Sequence, residues 1–255
     1  MSQVINPQSL YFDKSPKTYN KNMHIQYEVF TKLLSLIDTE CFETITDIGC
    51  GTGIITKKLH DHFNSKKTTG LDQSLSMIDH AKSSFQSDSL KFNQKSAHEF
   101  SNHDQADLIF SNATLQWIPD LNLFFKTLKQ SITQPTTIAF SIFLPGTYKE
   151  LAKGLRHIID KSITIPAEKF ESLETIKTTC KHYFKTASFK NHTITHSYKN
   201  IFELLNIIKQ TGSKELYPPM QFTQTKLTEL ETWFLSTYNT IPASYEVSLG
   251  IIKLK

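Results

Sequence analysis

The sequence predicts an α/β fold: a doubly wound, mostly parallel seven-stranded sheet with an antiparallel edge and a helical lid insertion. Three observations carry that expectation. Seven runs along the chain are rich in β-branched and aromatic residues. Helical patterns fill three of the four gaps between the first five of these runs, as parallel crossovers require. The last two runs flank a single helical stretch and fit an antiparallel edge.

Residues 21–36 open the chain's regular structure, with Met23, Tyr27, Phe30, Leu33 and Leu34 at helical spacing and Ile37 just beyond, so an amphipathic helix packs beside the sheet. Thr44-Ile45-Thr46-Asp47-Ile48 is a β-branched strand that runs into Gly49-Cys50-Gly51-Thr52-Gly53, and 54–62 follow in helical register. The pattern then repeats: strand 68–71, helix 74–85, strand 90–94, strand 107–111, helix 121–132 and strand 136–143. After Pro145-Gly146 the alternation stops. Residues 146–188 read as a helical lid insertion over the strand ends, interrupted at Pro166, and 1–37 as an N-terminal helical segment over the site. Strands 192–198 and 244–253, with helix 202–209 after the first of them, complete one domain, 1–255.

A chain of 255 residues buries an adequate core without a disulfide or metal staple. It is 38% hydrophobic and 20% charged, the balance of a folded protein and not of a disordered one. Cys41, Cys50 and Cys180 are too scattered for a disulfide framework or a zinc site, which points to a reducing compartment and no metal. No signal peptide opens the chain and no stretch reaches the roughly 20 apolar residues of a membrane span, so a soluble, cytoplasmic protein without a membrane partner is expected. The 28 Lys and Arg are dispersed and the formal net charge is only +4, against a nucleic-acid footprint and compatible with an acidic protein partner.

The glycines at 49, 51 and 53 end a strand and open a helix, where backbone can approach a ligand and N–H groups are unpaired. Their spacing is Gly-x-Gly-x-Gly, not the Gly-x-Gly-x-x-Gly of dinucleotide enzymes, and Asp47 precedes them by two positions. That favours S-adenosylmethionine over NAD. Asp72 ends the second strand about twenty residues on, where a carboxylate accepts from both ribose hydroxyls. The alternative for Asp72 is an ordinary helix N-cap.

Through 47–53, through Gly70-Leu71-Asp72 and through Ala106-Asp107-Leu108-Ile109-Phe110-Ser111-Asn112, the chain resembles the class I, Rossmann-like S-adenosylmethionine-dependent methyltransferases. The resemblance implies that Asp47, Gly49, Gly51 and Gly53 surround the methionine part of the cofactor and that Asp72 holds the ribose. Gln73 and Met77 would lie beside the adenosine, Ser96 and Ala97 at the adenine, and Asn112 would join the cofactor set; at Ser96 the family often carries an acidic residue.

Further segments, Ser111-Asn112-Ala113-Thr114-Leu115-Gln116-Trp117, 143–151 and 242–250, look like the malonyl-acyl-carrier-protein O-methyltransferases of biotin synthesis. Phe12-Asp13-Lys14-Ser15 with Tyr19, and 205–212, fit the same family. This resemblance implies that the free carboxylate of a malonyl thioester, on acyl carrier protein or coenzyme A, becomes a methyl ester, with S-adenosylhomocysteine as co-product. Tyr19 is the candidate catalytic residue, orienting the carboxylate or closing the site, against a plain packing tyrosine. Lys14, Gln116 and Trp117 are candidates for substrate binding; an exposed Lys14 and a core Trp117 are the alternatives. Lys199, Lys209 and Lys214 are candidates for carrier docking, against a solvated basic face.

A monomer is expected. Other readings are a methyltransferase for another small carboxylate or metabolite, a non-catalytic S-adenosylmethionine-binding protein and, more distantly, an NAD enzyme disfavoured by the glycine spacing.

Overall fold

All eight residues of Thr136–Phe143 are buried, which requires cover on both faces of a central strand. This strand is β5 in a sheet that also contains β1 (Thr44–Ile48), β2 (Lys67–Asp72), β3 (Leu90–Gln94), β4 (Leu108–Ser111), β6 (Ser188–Tyr198) and β7 (Ile241–Leu254). The computed structural model describes residues 16–38, 41–100, 105–211 and 223–254. Among them the seven strands form one sheet in the order β3-β2-β1-β4-β5-β7-β6. The first five in that order run parallel, and β7 is antiparallel to both β5 and β6. Strand order reverses between β1 and β4, and such a switch point opens a crevice at the carboxyl ends of the strands.

Helices α1 (Pro16–Asn22), α2 (His24–Leu34), α3 (Ile54–Phe63), α4 (Leu75–Phe85), α5 (Leu121–Ser131), α6 (Lys149–Ile158), α7 (Leu173–Tyr183), α8 (Ile201–Gln210) and α9 (Gln224–Tyr238) surround the sheet. Alternation along β4 sorts the core. Leu108 and Phe110 face a layer containing Val29, Phe30 and Leu33 of α2 with Leu151 of α6 and Leu230 of α9. Ile109 faces the opposite layer, with Phe124, Phe125 and Leu128 of α5 and Ile176 of α7. Each such buried Leu, Ile or Phe contributes roughly 1.5–3 kcal/mol of transfer free energy, so the two layers fix how the helices sit on the sheet.

The helix expected over 21–36 is instead two, Pro16–Asn22 and His24–Leu34, broken at Met23, whose ψ of 23° departs from the helical value. Tyr19 is therefore helical. The segment 146–188 contains α6, a short 3₁₀ turn at Pro166–Lys169 and α7. Arg156 closes that turn, donating to the Ile163 carbonyl at 2.8 Å and to both Glu168 oxygens at 2.5 and 2.6 Å. The last two strands are longer than their β-rich runs, since eleven cross-strand pairs from Ser188↔Ile251 to Tyr198↔Ile241 carry Lys190, Asn191 and even Pro242 into the ladder. Helix α9 was not anticipated; Leu230 and Phe234 seat it against Gly154 of α6, where a side chain would collide with them. Among the described residues, no helix is long and apolar enough to cross a membrane.

Candidate active site

At the end of β1 the chain turns through residues 49–53 into α3. The Gly49 and Cys50 N–H groups donate to the Leu71 carbonyl at 2.7 and 3.0 Å, so the turn leans on β2. Gly49 has a φ of +78°, and a Cβ there would lie 2.2 Å from Thr114 Oγ1 in the loop after β4. Gly51 is also left-handed, at +52°, but a Cβ there would meet nothing within 4 Å. It borders open space, where a ligand can approach the backbone.

Asp72, the last residue of β2, orders this turn. It accepts from the Gly51 N–H at Oδ2 and from the Ser74 N–H at Oδ1, both at 2.9 Å. The cap of α4 is Ser74, whose hydroxyl accepts from the Met77 N–H, so Asp72 is not an N-cap. Asp47 is buried and accepts from Thr56 Oγ1 at 2.6 Å. Burial pushes its carboxyl up to about 7; the Thr56 bond opposes this and the charge of Asp72 adds to it.

Helix α1 is tied to the turn through Asn20, which accepts from Thr52 Oγ1 at 2.6 Å and meets His80 Nε2 at 3.3 Å. Tyr19 is half-buried as a residue while its hydroxyl end is enclosed. Burial, then Asp72 and Asp47, raise its pKa, so the phenol keeps its proton at neutral pH. At the end of β4, Asn112 Oδ1 accepts from Ser141 Oγ at 2.8 Å and Nδ2 donates to the Gln26 carbonyl at 2.9 Å. Ser141 Oγ takes the Ala113 N–H at 2.7 Å and holds Ala113 at a φ of +54°. Gln116 Nε2 donates to the Ala113 carbonyl at 2.7 Å, and Trp117 meets Phe170 edge-on at 5.4 Å.

A cavity of about 360 Å³ lies over these strand ends. Of the residues expected from sequence, Tyr19, Gly49, Gly51, Asp72, Gln73, Met77, Ser96, Ala97, Asn112, Gln116 and Trp117 line it. Asp47 lines a smaller neighbouring cavity together with Tyr19, Gly49, Gly51 and Asn112. Gly53 lines neither and serves as the left-handed N-cap of α3. Lys199 and Lys209 are exposed and do not line the cavity, while Lys14 and Lys214 lie outside the described residues. Sequence reading missed Gln26, Phe143, Thr147, Tyr148, Phe170 and Tyr245, which also line the cavity.

Residues 45–134 match the family model described as a methyltransferase domain. The chain is 32% identical over 230 residues to malonyl-[acyl-carrier protein] O-methyltransferase 2 of Ilyobacter polytropus, a match that covers 89% of this chain and 88% of that one. This chain belongs to the same family. As a malonyl-[acyl-carrier protein] O-methyltransferase family member it is an S-adenosylmethionine-dependent methyltransferase. The family enzyme of Priestia megaterium is 33% identical over 187 residues, 70% of this chain and 68% of the other. A crystal structure of YcgJ from Bacillus subtilis aligns with a TM-score of 0.60 at 14% identity, covering 90% of this chain and 99% of that one, and shares the fold.

The site's chemistry suits the cofactor of this family. S-adenosylmethionine carries a sulfonium and an ammonium cation and two ribose hydroxyls, and the crevice presents the carboxylates of Asp47 and Asp72. Gln26 Oε1 is buried without a hydrogen-bond partner and belongs to a residue that lines the cavity. An unpaired buried acceptor costs roughly 1–3 kcal/mol, a cost that a ligand N–H or O–H would remove.

Proposed function

We propose that this enzyme converts the free carboxylate of malonyl on acyl carrier protein, or on coenzyme A, to its methyl ester, an early step of biotin synthesis. The likeness to the Ilyobacter polytropus enzyme over 89% of the chain carries this reading, because it spans the cofactor turn and the acceptor side alike. S-adenosylmethionine, when bound, supplies the methyl group. In this reading Asp72 accepts the ribose hydroxyls, Gln73, Met77, Ser96 and Ala97 flank the adenosine, and Asp47, the glycine turn, Gln26 and Asn112 hold the methionine end.

A carboxylate with an ordinary pKa of about 4 is ionised at neutral pH, so the acceptor needs no base. The protein's task is to align the acceptor oxygen and keep water out. Trp117, Phe143 and Phe170 supply the apolar wall. Tyr19, whose hydroxyl stays protonated, orients its partner by donating a hydrogen bond and takes no proton. Lys199, Lys209 and Lys214 offer positive charge to an acidic carrier and act mainly on encounter.

The test is methyl transfer from labelled S-adenosylmethionine to purified malonyl-acyl carrier protein, followed by mild base. Base-labile label on the carrier is expected. Cofactor binding without labelled carrier would overturn the substrate assignment and move the search to free small carboxylates.

A further inference from the structure

Three tyrosines from distant parts of the chain meet on the β7 side of the cavity. Tyr245 of β7 and Tyr148, the residue before α6, line it; Tyr198, the last residue of β6, is absent from its lining. The Tyr198 and Tyr245 hydroxyls are 2.5 Å apart. The Tyr148 and Tyr245 rings meet edge-on at 4.9 Å. Beyond Tyr198, at 3.4 Å, stands His24 Nε2 in the first turn of α2. Two residues further along that helix is Gln26, whose carbonyl takes the Asn112 amide, so the phenol cluster and the cofactor side of the cavity share one helical turn.

A count of protons gives this row of hydroxyls a direction. The Tyr198 and Tyr245 hydroxyls carry two protons, and the link between them uses one. The second proton goes to one end: to His24 Nε2, or into the cavity from Tyr245, beside which the Tyr148 hydroxyl has its own proton to donate. When His24 carries its proton on Nε2 it donates to Tyr198, and the whole row points toward the cavity. An anion in the cavity selects that direction.

The placement of Tyr148 is enforced. Its φ is +60°, a strained conformation for a residue with a large side chain. Its N–H donates to the Ser244 carbonyl at 2.7 Å, and the buried Glu150 carboxylate takes the Ser244 N–H and hydroxyl at 2.9 and 2.7 Å. Cationic help is remote: Lys95 is the only Lys or Arg among the described lining residues, and it follows β3, five strand spacings or about 24 Å from β7.

We propose that Tyr148 and Tyr245 bind the carboxylate of the acyl acceptor, with Tyr198 and His24 as positioning residues that set the direction of the hydroxyl row. The inference rests on the carboxyl-methylation reading above and names the residues that select the acid. Neutral phenols suit a carboxylate that must also react, because a guanidinium partner would hold its lone pairs far more tightly. They also favour product release: hydrogen bonds to an ionised acceptor are roughly twice as strong as those to a neutral ester.

The test compares binding of malonyl- and acetyl-acyl carrier protein to the S-adenosylhomocysteine-loaded enzyme, which cannot turn over. Wild type is expected to prefer the malonyl form. Tyr245→Phe and Tyr148→Phe should each reduce that preference by about tenfold or more, Tyr198→Phe by less, with acetyl-carrier and S-adenosylhomocysteine affinities unchanged. An undiminished preference in both Tyr245→Phe and Tyr148→Phe overturns the assignment, as does its loss in Lys14→Ala alone. A wild type without preference for the malonyl carrier refutes the substrate reading instead. The same variants are then tested on whichever free dicarboxylate the enzyme binds, where unchanged affinity, or the lack of any bound carboxylate, overturns the tyrosine assignment.

Discussion

Substituting Asp47→Asn should abolish a pH dependence that the wild-type site imposes on cofactor binding. Asp47 is buried at the end of β1, and burial, reinforced by the charge of Asp72, lifts its carboxyl to about 7 despite the Thr56 bond. In the free enzyme it is therefore largely protonated at pH 5.5, about 3% ionised, and about half ionised at pH 7.0. A cofactor ammonium beside it favours the carboxylate and draws the pKa back down. Binding then releases a proton, and affinity rises with pH until the free enzyme's carboxyl is ionised.

If only the carboxylate form binds tightly, the two fractions differ by about 15-fold, so affinity should rise by about that factor from pH 5.5 to 7.0. An α-amino group and an α-carboxyl titrate outside this window, near 8 and below 4. Calorimetric titration in buffers of different ionisation enthalpy reads both the affinity and the released proton. Flat affinity in the wild type, or the same slope in Asp47→Asn, refutes the placement of Asp47 beside the cofactor's cation. The sign for stability runs the other way. A folded pKa raised above the unfolded value stabilises the ligand-free protein below about pH 4, and that contribution is lost as pH rises through 7. The melting-temperature advantage of Asp47→Asn over wild type should accordingly grow with pH.

Asp72→Ala should weaken cofactor binding by about 1.5–3 kcal/mol, the usual worth of hydrogen bonds to a charged group. It should also lower the melting temperature, since the Gly51 and Ser74 N–H groups lose their acceptor; unchanged calorimetric affinity would remove Asp72 from the site. Gly49→Ala puts a methyl into Thr114 at a left-handed position and should cost about 1–3 kcal/mol in denaturant titration; a neutral effect would contradict the geometry of the turn. Lys209→Glu, at an exposed position of α8, should slow methylation of carrier-bound malonyl and spare the coenzyme A thioester. Equal slowing of both substrates would exclude a docking role for Lys209.

The glycine-turn side of the cavity was readable from sequence because its signals are local. Asp47, the glycine turn and the start of α3 lie within ten consecutive residues, and Asp72 ends the next strand, so periodicity and spacing located them. Even there, sequence left Asp72 as either a ribose acceptor or a helix cap. The structure showed Ser74 capping α4 and Asp72 bracing the Gly51 N–H. The β7 side of the cavity carried no comparable signal. Phe143, Tyr148 and Tyr245 are buried residues that read as plain core, and nothing in their neighbours marks them as lining one cavity.

By itself the sequence determined the class of fold and the glycine turn after β1, since alternating runs of strand and helix permit few parallel arrangements and each run is set by its own apolar period. Tertiary structure alone decided the strand order, the full length of the β6–β7 ladder, the seat of α9 and the convergence of Tyr148, Tyr198 and Tyr245. These depend on pairings between residues far apart in sequence, such as Tyr148 N–H on Ser244 and the Tyr198 hydroxyl on that of Tyr245, 47 positions on. Such contacts form because burial of two apolar layers brings the strands together, and no local window of sequence contains both partners.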